Sequence, residues 1–230
     1  MDKKREKIMV LVLVVAIVSL SLAVGYSFYS NNTKFYNYTG FRGEVFSFAK
    51  SPQGDHYLNW TTKSQITGNV FQLYDFVTPF PYGPEDLEDI PIEFSLTRVR
   101  IKNSPSLYLT RDVYLDKEYH PEFNSKINKK GGMVIALLGF QRVAEKYGIS
   151  PMFASIEDNE RTKELNLPVI NCGSANEFRR VIWFKEGNET KIYRDSENEN
   201  YHCFIAQFKK GEDPARVGTA LAYHLIGVFE

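Results

Sequence analysis

The chain has 230 residues, 43% of them apolar, and its 28 basic and 28 acidic residues cancel to no net charge. Its 14 Tyr, 17 Phe and 2 Trp exclude a disordered chain, and the lack of a basic excess excludes a general nucleic-acid binder, which needs cations to displace phosphate counterions. With 15 Gly and 10 Pro it is not collagen-like or of low complexity, and no internal repeat is present.

Residues 1–30 differ from the rest. Asp2-Lys3-Lys4-Arg5-Glu6-Lys7 forms a basic head, and Ile8 to Phe28 is a run of 21 residues without a carboxylate or an amine. As a helix such a run measures about 31 Å, the thickness of a bilayer's hydrocarbon core. The positive-inside rule then holds the head in the cytoplasm and puts Asn31 onward outside. Tyr26, Phe28 and Tyr29 suit an aromatic belt at the outer interface. The competing expectation is a secretory signal cleaved near Ala23-Val24-Gly25, although the apolar run before that point is longer than usual for one. A pilin-type leader lacks its small residue and its acid here. Ser19 with Ala23, and Ser21 with Gly25, are small pairs four apart that let a partner helix approach closely.

The part beyond residue 30 holds 24 bases against 26 acids. N-x-S/T triplets begin at Asn31, Asn37, Asn59 and Asn188, which makes these the candidate glycosylation positions. The two cysteines, Cys172 and Cys203, bound a 32-residue loop and are expected to pair as a disulfide in an oxidising space. Two buried free thiols are the alternative, and no nucleophile-elbow or papain-like pattern surrounds Cys172.

Residues 31–105 read as β-rich and loop-rich. Glu44–Phe48, Val70–Val77 and Ile92–Ile101 alternate, the last with a slip between Leu96 and Val99 that suggests a bulge. Thr78–Pro84 holds three prolines and is expected to be an aromatic loop. Residues 106–230 read as α/β. Leu107–Leu109 and Val113–Leu115 are short strand candidates. A helix follows over about Met133–Tyr147, with Gly148 as its C-cap. Met152–Ile156 and Val169–Asn171 are further strands, Arg180–Phe184 and Thr190–Arg194 a hairpin, and Tyr201–Phe208 a strand carrying Cys203. Asp213 caps a closing helix with Pro214 in its first turn and Val217, Leu221, His224, Leu225 and Val228 on one stripe. The expected fold is therefore α/β or α+β: a transmembrane helix, then an extracytoplasmic mixed-sheet domain with two main helices.

Few residues suggest chemistry. Asn128-Lys129-Lys130-Gly131-Gly132 before a helix is a weak anion cradle without Walker or dinucleotide spacing. Glu85, Asp86, Glu88 and Asp89, and the run Glu197–Asn200, lack the order of a calcium loop. His56, His120, His202 and His224 have no zinc-site spacing, so no metal or cofactor is expected. Asp55, His56 and Asp112 are the suspects for a triad assembled at a distance, and Tyr57, Trp60, Phe80 and Tyr82 for sugar stacking. The resulting expectation is a non-catalytic binding or assembly protein of the cell envelope. It would be held in lipid by residues 8–28 beside a partner membrane protein or a second copy. An anchored hydrolase of extracytoplasmic peptide or glycan is the first alternative, and a glycan-binding module the second.

Overall fold

The computed structural model of the chain describes residues 33–66, 70–93, 106–118, 132–195 and 202–229. The expected anchor over residues 8–28, with Ser19, Ser21, Ala23 and Gly25, lies outside them, as does Asn31. Among the described residues no helix is long and apolar enough to cross a membrane.

Two sheets enclose a layer of helices, a mixed arrangement of the α+β kind. Sheet A is an antiparallel meander of β1 (Lys34–Thr39), β2 (Val45–Lys50), β3 (His56–Ile66) and β4 (Val70–Phe80), in that order. Its inward residues include Phe46, Phe48, Leu58 and Phe80, each at most 2% exposed. Sheet B has the order β6-β5-β7-β9-β8, from β5 (Ser106–Arg111), β6 (Met152–Ser155), β7 (Arg179–Gly187), β8 (Lys191–Arg194) and β9 (Cys203–Lys209). All its pairings are parallel except that of β8 with β9. Short α1 (Leu115–Glu118) follows β5, α2 (Met133–Lys146) leads to β6, α3 (Glu160–Glu164) follows β6, and α4 (Pro214–Ile226) follows β9.

The main core joins sheet A, α2, α4 and one face of sheet B through Leu107, Leu109, Ile182, Phe184, Ala206 and Phe208. Alternation along β7 and β9 sends Val181, Cys203 and Ile205 to the opposite face, where Ile170, Cys172 and Ala175 cover them. Segment 156–175 thus lies across the face that α2 and α4 leave open.

Helix α4 is expected to bury one stripe. It is instead buried on nearly every side, because sheet A packs on the flank that the stripe would leave to water. Tyr223 sits edge-on to Phe48, Phe80 and Phe229, with ring centroids 5.7, 4.8 and 5.8 Å away. Against α2 the backbones nearly touch: a Cβ on Gly218 would lie 2.6 Å from the Cα and carbonyl oxygen of Ala136.

The structure corrects four local expectations and adds one short helix. β7 and β8 do not form a hairpin; β9 enters between them, paired with both. Six of its seven residues are buried, so it needs covered faces and paired edges, which a central position supplies. The proline segment is not all loop. Pro79 lies in β4 opposite Tyr57, permitted because β4 is an outer strand whose free edge requires no donor from proline. Val113–Leu115 is no strand, since the Asp112 carboxylate accepts from the Tyr114 amide at 2.9 Å and turns the chain into α1. The polar stretch after β6 holds α3, capped by Asn159, whose Oδ1 accepts from the Thr162 amide at 2.9 Å. Val169–Asn171 makes only one bridge, Val169 to Ser155. Residues 94–101 of the expected third strand lie outside the described residues.

Both edges of sheet B are covered. Ile92 bridges Ile192 on β8, and the Ser155 amide of β6 donates to the carbonyl of Pro168 at 3.0 Å. The tight α2–α4 contact makes Gly218→Ala a sharp probe of this layer. It should lower unfolding stability by about 1–3 kcal/mol, since a helix must shift to admit the methyl. A denaturant midpoint equal to the parent's would show that the two helices are not packed this closely.

Candidate functional site

Several ionisable groups converge on the seam between sheet A, the segment 81–90 and the start of α4. Asp213, 5% exposed, caps α4 through Oδ1, which accepts from the Ala215 amide at 2.9 Å. The same oxygen accepts from the Gly132 amide at the head of α2, at 2.7 Å. Oδ2 accepts from the Tyr82 hydroxyl at 2.8 Å, and the Tyr82 carbonyl accepts from the Tyr223 hydroxyl at 2.8 Å. Gly132 was expected to help cradle an external anion; its amide is instead engaged by this internal one. Lys129, Lys130 and Gly131 lie outside the described residues.

A second group lies one strand away. The Tyr36 hydroxyl is 2.6 Å from His56 Nδ1, and His56 Nε2 is 3.7 Å from the Asp86 carboxylate. The carboxylate facing His56 is therefore that of Asp86, not Asp55 or Asp112, and the partner on its other side is a tyrosine. When Tyr36 donates to Nδ1, the ring carries its proton on Nε2 and presents it to Asp86. Phenol, imidazole and carboxylate thus stand in order, with the last gap, 3.7 Å, longer than a hydrogen bond. The group is closed, because His56 is 2% exposed and the backbone of Gly83 rests on the ring. A Cβ there would lie 2.6 Å from Nδ1 and 2.9 Å from the Tyr36 hydroxyl. Asp86 also accepts from the Gly83 amide at 3.0 Å, so the same carboxylate orders the loop that seals the ring.

The acidic run 85–89 is occupied in the same way. Asp89 receives Arg216 at 2.8 and 3.0 Å, and Glu88 receives the Tyr38 hydroxyl at 3.1 Å. On sheet B, Arg111 is buried with Nε 2.8 Å from Asp116 and Nη1 3.2 Å from the Ala154 carbonyl. His224 is a buried core residue of α4, and His120 and residues 196–200 lie outside the described residues.

Cys172 and Cys203 are joined as a disulfide, with Cα atoms 5.3 Å apart. Asp195 is buried beside them, its carboxylate within 4.8 Å of the two sulfurs. Bonded to each other, the sulfurs offer no thiolate to a metal.

The aromatic residues expected to stack on sugars do not form a platform. Phe80 is 1% exposed in the core, Tyr82 is bound to Asp213, and Tyr57 is half-buried on the opposite face of sheet A from Phe80's partner His56. The side chain of Trp60 lies outside the described residues. Asn37 is exposed on β1, where its Oδ1 accepts from Ser47 at 3.0 Å, and Asn188 is exposed in the turn after β7. Asn59 lies in β3, in register with Ser47 and Val77. Periodicity marked none of the seam's tyrosines as polar partners, because nothing local distinguishes a phenol that finds a carboxylate from one that packs.

Comparison with protein-family models, with curated proteins and with solved structures finds no match to this chain.

Burial, then the charges of Glu85 and Asp86, pushes the Tyr36 phenol well above its ordinary value. Burial, then Asp213, does the same to Tyr82, and burial to Tyr223. A group whose folded value is raised favours the fold up to its unfolded value, about 10 for tyrosine, and that contribution is lost as pH rises beyond it. Stability should therefore fall above about pH 10, and absorbance at 295 nm should show these tyrosines ionising only with unfolding. Ionisation of all 14 tyrosines near pH 10 in a folded chain would contradict the seam as described. Replacing both cysteines by alanine should lower stability by roughly 3.5–4 kcal/mol in the chain-entropy estimate. Thiols that alkylate in the folded, unreduced protein would show that the bond is absent.

Proposed function

We propose that this chain is a membrane-anchored extracytoplasmic binding or assembly protein, a non-catalytic component of an envelope complex. Residues 8–28 would hold it in lipid, with its amino terminus in the cytoplasm. The observation that carries the reading is the use made of its buried polar groups. Buried Asp213 and Arg111, with half-buried Tyr82 and Asp116, each join one element to another, so these polar groups are used to hold the fold together. Large apolar side chains meanwhile stand on the surface, Phe178 at 65% and Phe41 at 47% exposure among them, as contacts for another macromolecule. The Cys172–Cys203 disulfide accords with an oxidising space.

A second reading, an anchored hydrolase, draws on the convergence of Tyr36, His56 and Asp86. Isolation of the full chain from its native membranes in mild detergent separates the two. The assembly reading expects a reproducible set of co-purifying subunits. Recovery of the chain alone, time after time, would move the assignment to the hydrolase, with His56 as its acid–base group. Protease added to intact cells should remove the large domain, and its full protection would overturn the orientation.

A further inference from the structure

The outward face of the β1–β2 hairpin in sheet A differs from an ordinary solvated surface. Alternation puts Phe35, Asn37 and Thr39 of β1 and Val45, Ser47 and Ala49 of β2 on it, and none of these is ionisable, in a chain that is 24% charged. The register sets Phe35 beside Ala49, and Ala49 beside Tyr57. Phe35 is 81% exposed and Val45 64%, so a large apolar side chain stands in water near each end of the hairpin. Charged residues stand at the ends of the strands: Lys34 and Lys50 are partners at one end, and Arg42 and Glu44 lie in the turn at the other. The Arg42 guanidinium lies 5.0 Å from the Phe41 ring centre.

Two observations identify what covers this face. Only five residues, 29–33, separate the end of the apolar run at Phe28 from Lys34. Fully extended they reach about 17 Å, so a chain anchored by that run starts β1 within that distance of the bilayer. Phe35 is the second residue of the strand. The composition of the hairpin's face is the second observation: its rings, aliphatic groups, amides and hydroxyls approach lipid headgroups without stripping water from a charge. Aromatic residues favour that interface, and the exposed turn of the hairpin carries Arg42 beside Phe41.

We propose that the outward face of the β1–β2 hairpin lies against the lipid headgroups of the outer leaflet, with Phe35 seated in the interface. The proposal rests on the reading of residues 8–28 as an uncleaved anchor. Strand β1 then continues the aromatic belt begun by Tyr26, Phe28 and Tyr29, and the domain is held flat on its membrane rather than swinging on a stalk. Asn37 is turned toward the lipid and withheld from glycan attachment.

The test uses the full chain reconstituted into phosphatidylcholine vesicles, with and without bromine on the upper acyl carbons. F35W adds a tryptophan on the face, and L165W adds one beyond α3 on the far side of sheet B, at a position 39% exposed. The parent's own Trp60 and Trp183 set the baseline. Bromolipid should quench at least half of the emission that F35W adds and leave that of L165W unchanged. Equal responses from the two variants would overturn the proposal. Blue-shifted but unquenched emission from F35W would also overturn it, since a protein surface or a second copy would then cover the face. Alkaline carbonate extraction of the same vesicles separates the failures. A chain released into the supernatant refutes the anchor and the proposal together, whereas one that is retained but unquenched refutes only the seating of the face.

Discussion

One buried carboxylate sets the arrangement of the layers. Asp213 stands at the head of α4, and its two oxygens receive donors from three places: α4 itself, the head of α2, and Tyr82 in the segment leaving sheet A. Two of those donors are helix N-terminal amides, where partial positive charge gathers and where an anion is most favoured. The cost of burying the acid is offset because every donor it meets would otherwise be unpaired, at about 1–3 kcal/mol each. From this point the rest follows in order. With the heads of α2 and α4 tied together, the helices lie close enough for Gly218 to meet Ala136. With Tyr82 tied to the same carboxylate, β4 delivers sheet A onto the flank of α4, and Tyr223 closes the contact by donating to the carbonyl of Tyr82.

How much of this could be read beforehand depended on whether the cause was local. The cap and first turn of α4 were legible because Asp213-Pro214 states its role in two residues, and α2 because its apolar spacing ends at Gly148, whose φ of 74° suits a C-cap. The place of β9 was not legible. A short turn between β7 and β8 signals a hairpin, and only the burial of nearly every residue of β9 shows that it must lie between them. The extent of burial of α4 was hidden for the same reason: a stripe is visible in the sequence, but sheet A's arrival on the other flank is a fact of tertiary packing. α3 is five residues long and polar, too short for a period to register.

The polar seam was legible only in part. His56 was a suspect, yet its neighbours, Tyr36 and Asp86, lie 20 positions before it and 30 after it. They meet because β1 and β3 flank β2 in one sheet and the proline segment folds back over that sheet. Acidic residues that look like a solvated run, Asp86 to Asp89, prove to be divided among His56, Tyr38 and Arg216. Charge runs are ambiguous in a sequence because spacing alone does not say which members meet partners from distant elements.

The disulfide sits where burial is least able to hold the chain. On the helix side of sheet B the core contains large rings and aliphatic chains from both sheets and both main helices. On the other side the cluster is small, built from Ala154, Ile170, Ala175, Val181, Ile205 and the two cysteines. Tyr108, Trp183 and Tyr193 pack against it only partly buried, and since apolar stabilisation scales with the area removed from water, this smaller cluster holds the excursion 156–175 less firmly than the main core holds the helices. Cross-linking Cys172 to Cys203 fixes the end of that excursion to the first residue of β9, the most enclosed strand of the sheet. The weaker face is thereby tied to the stronger one through the strand they share. This explains why a domain with only two cysteines places both on the side of the sheet that the helices do not cover.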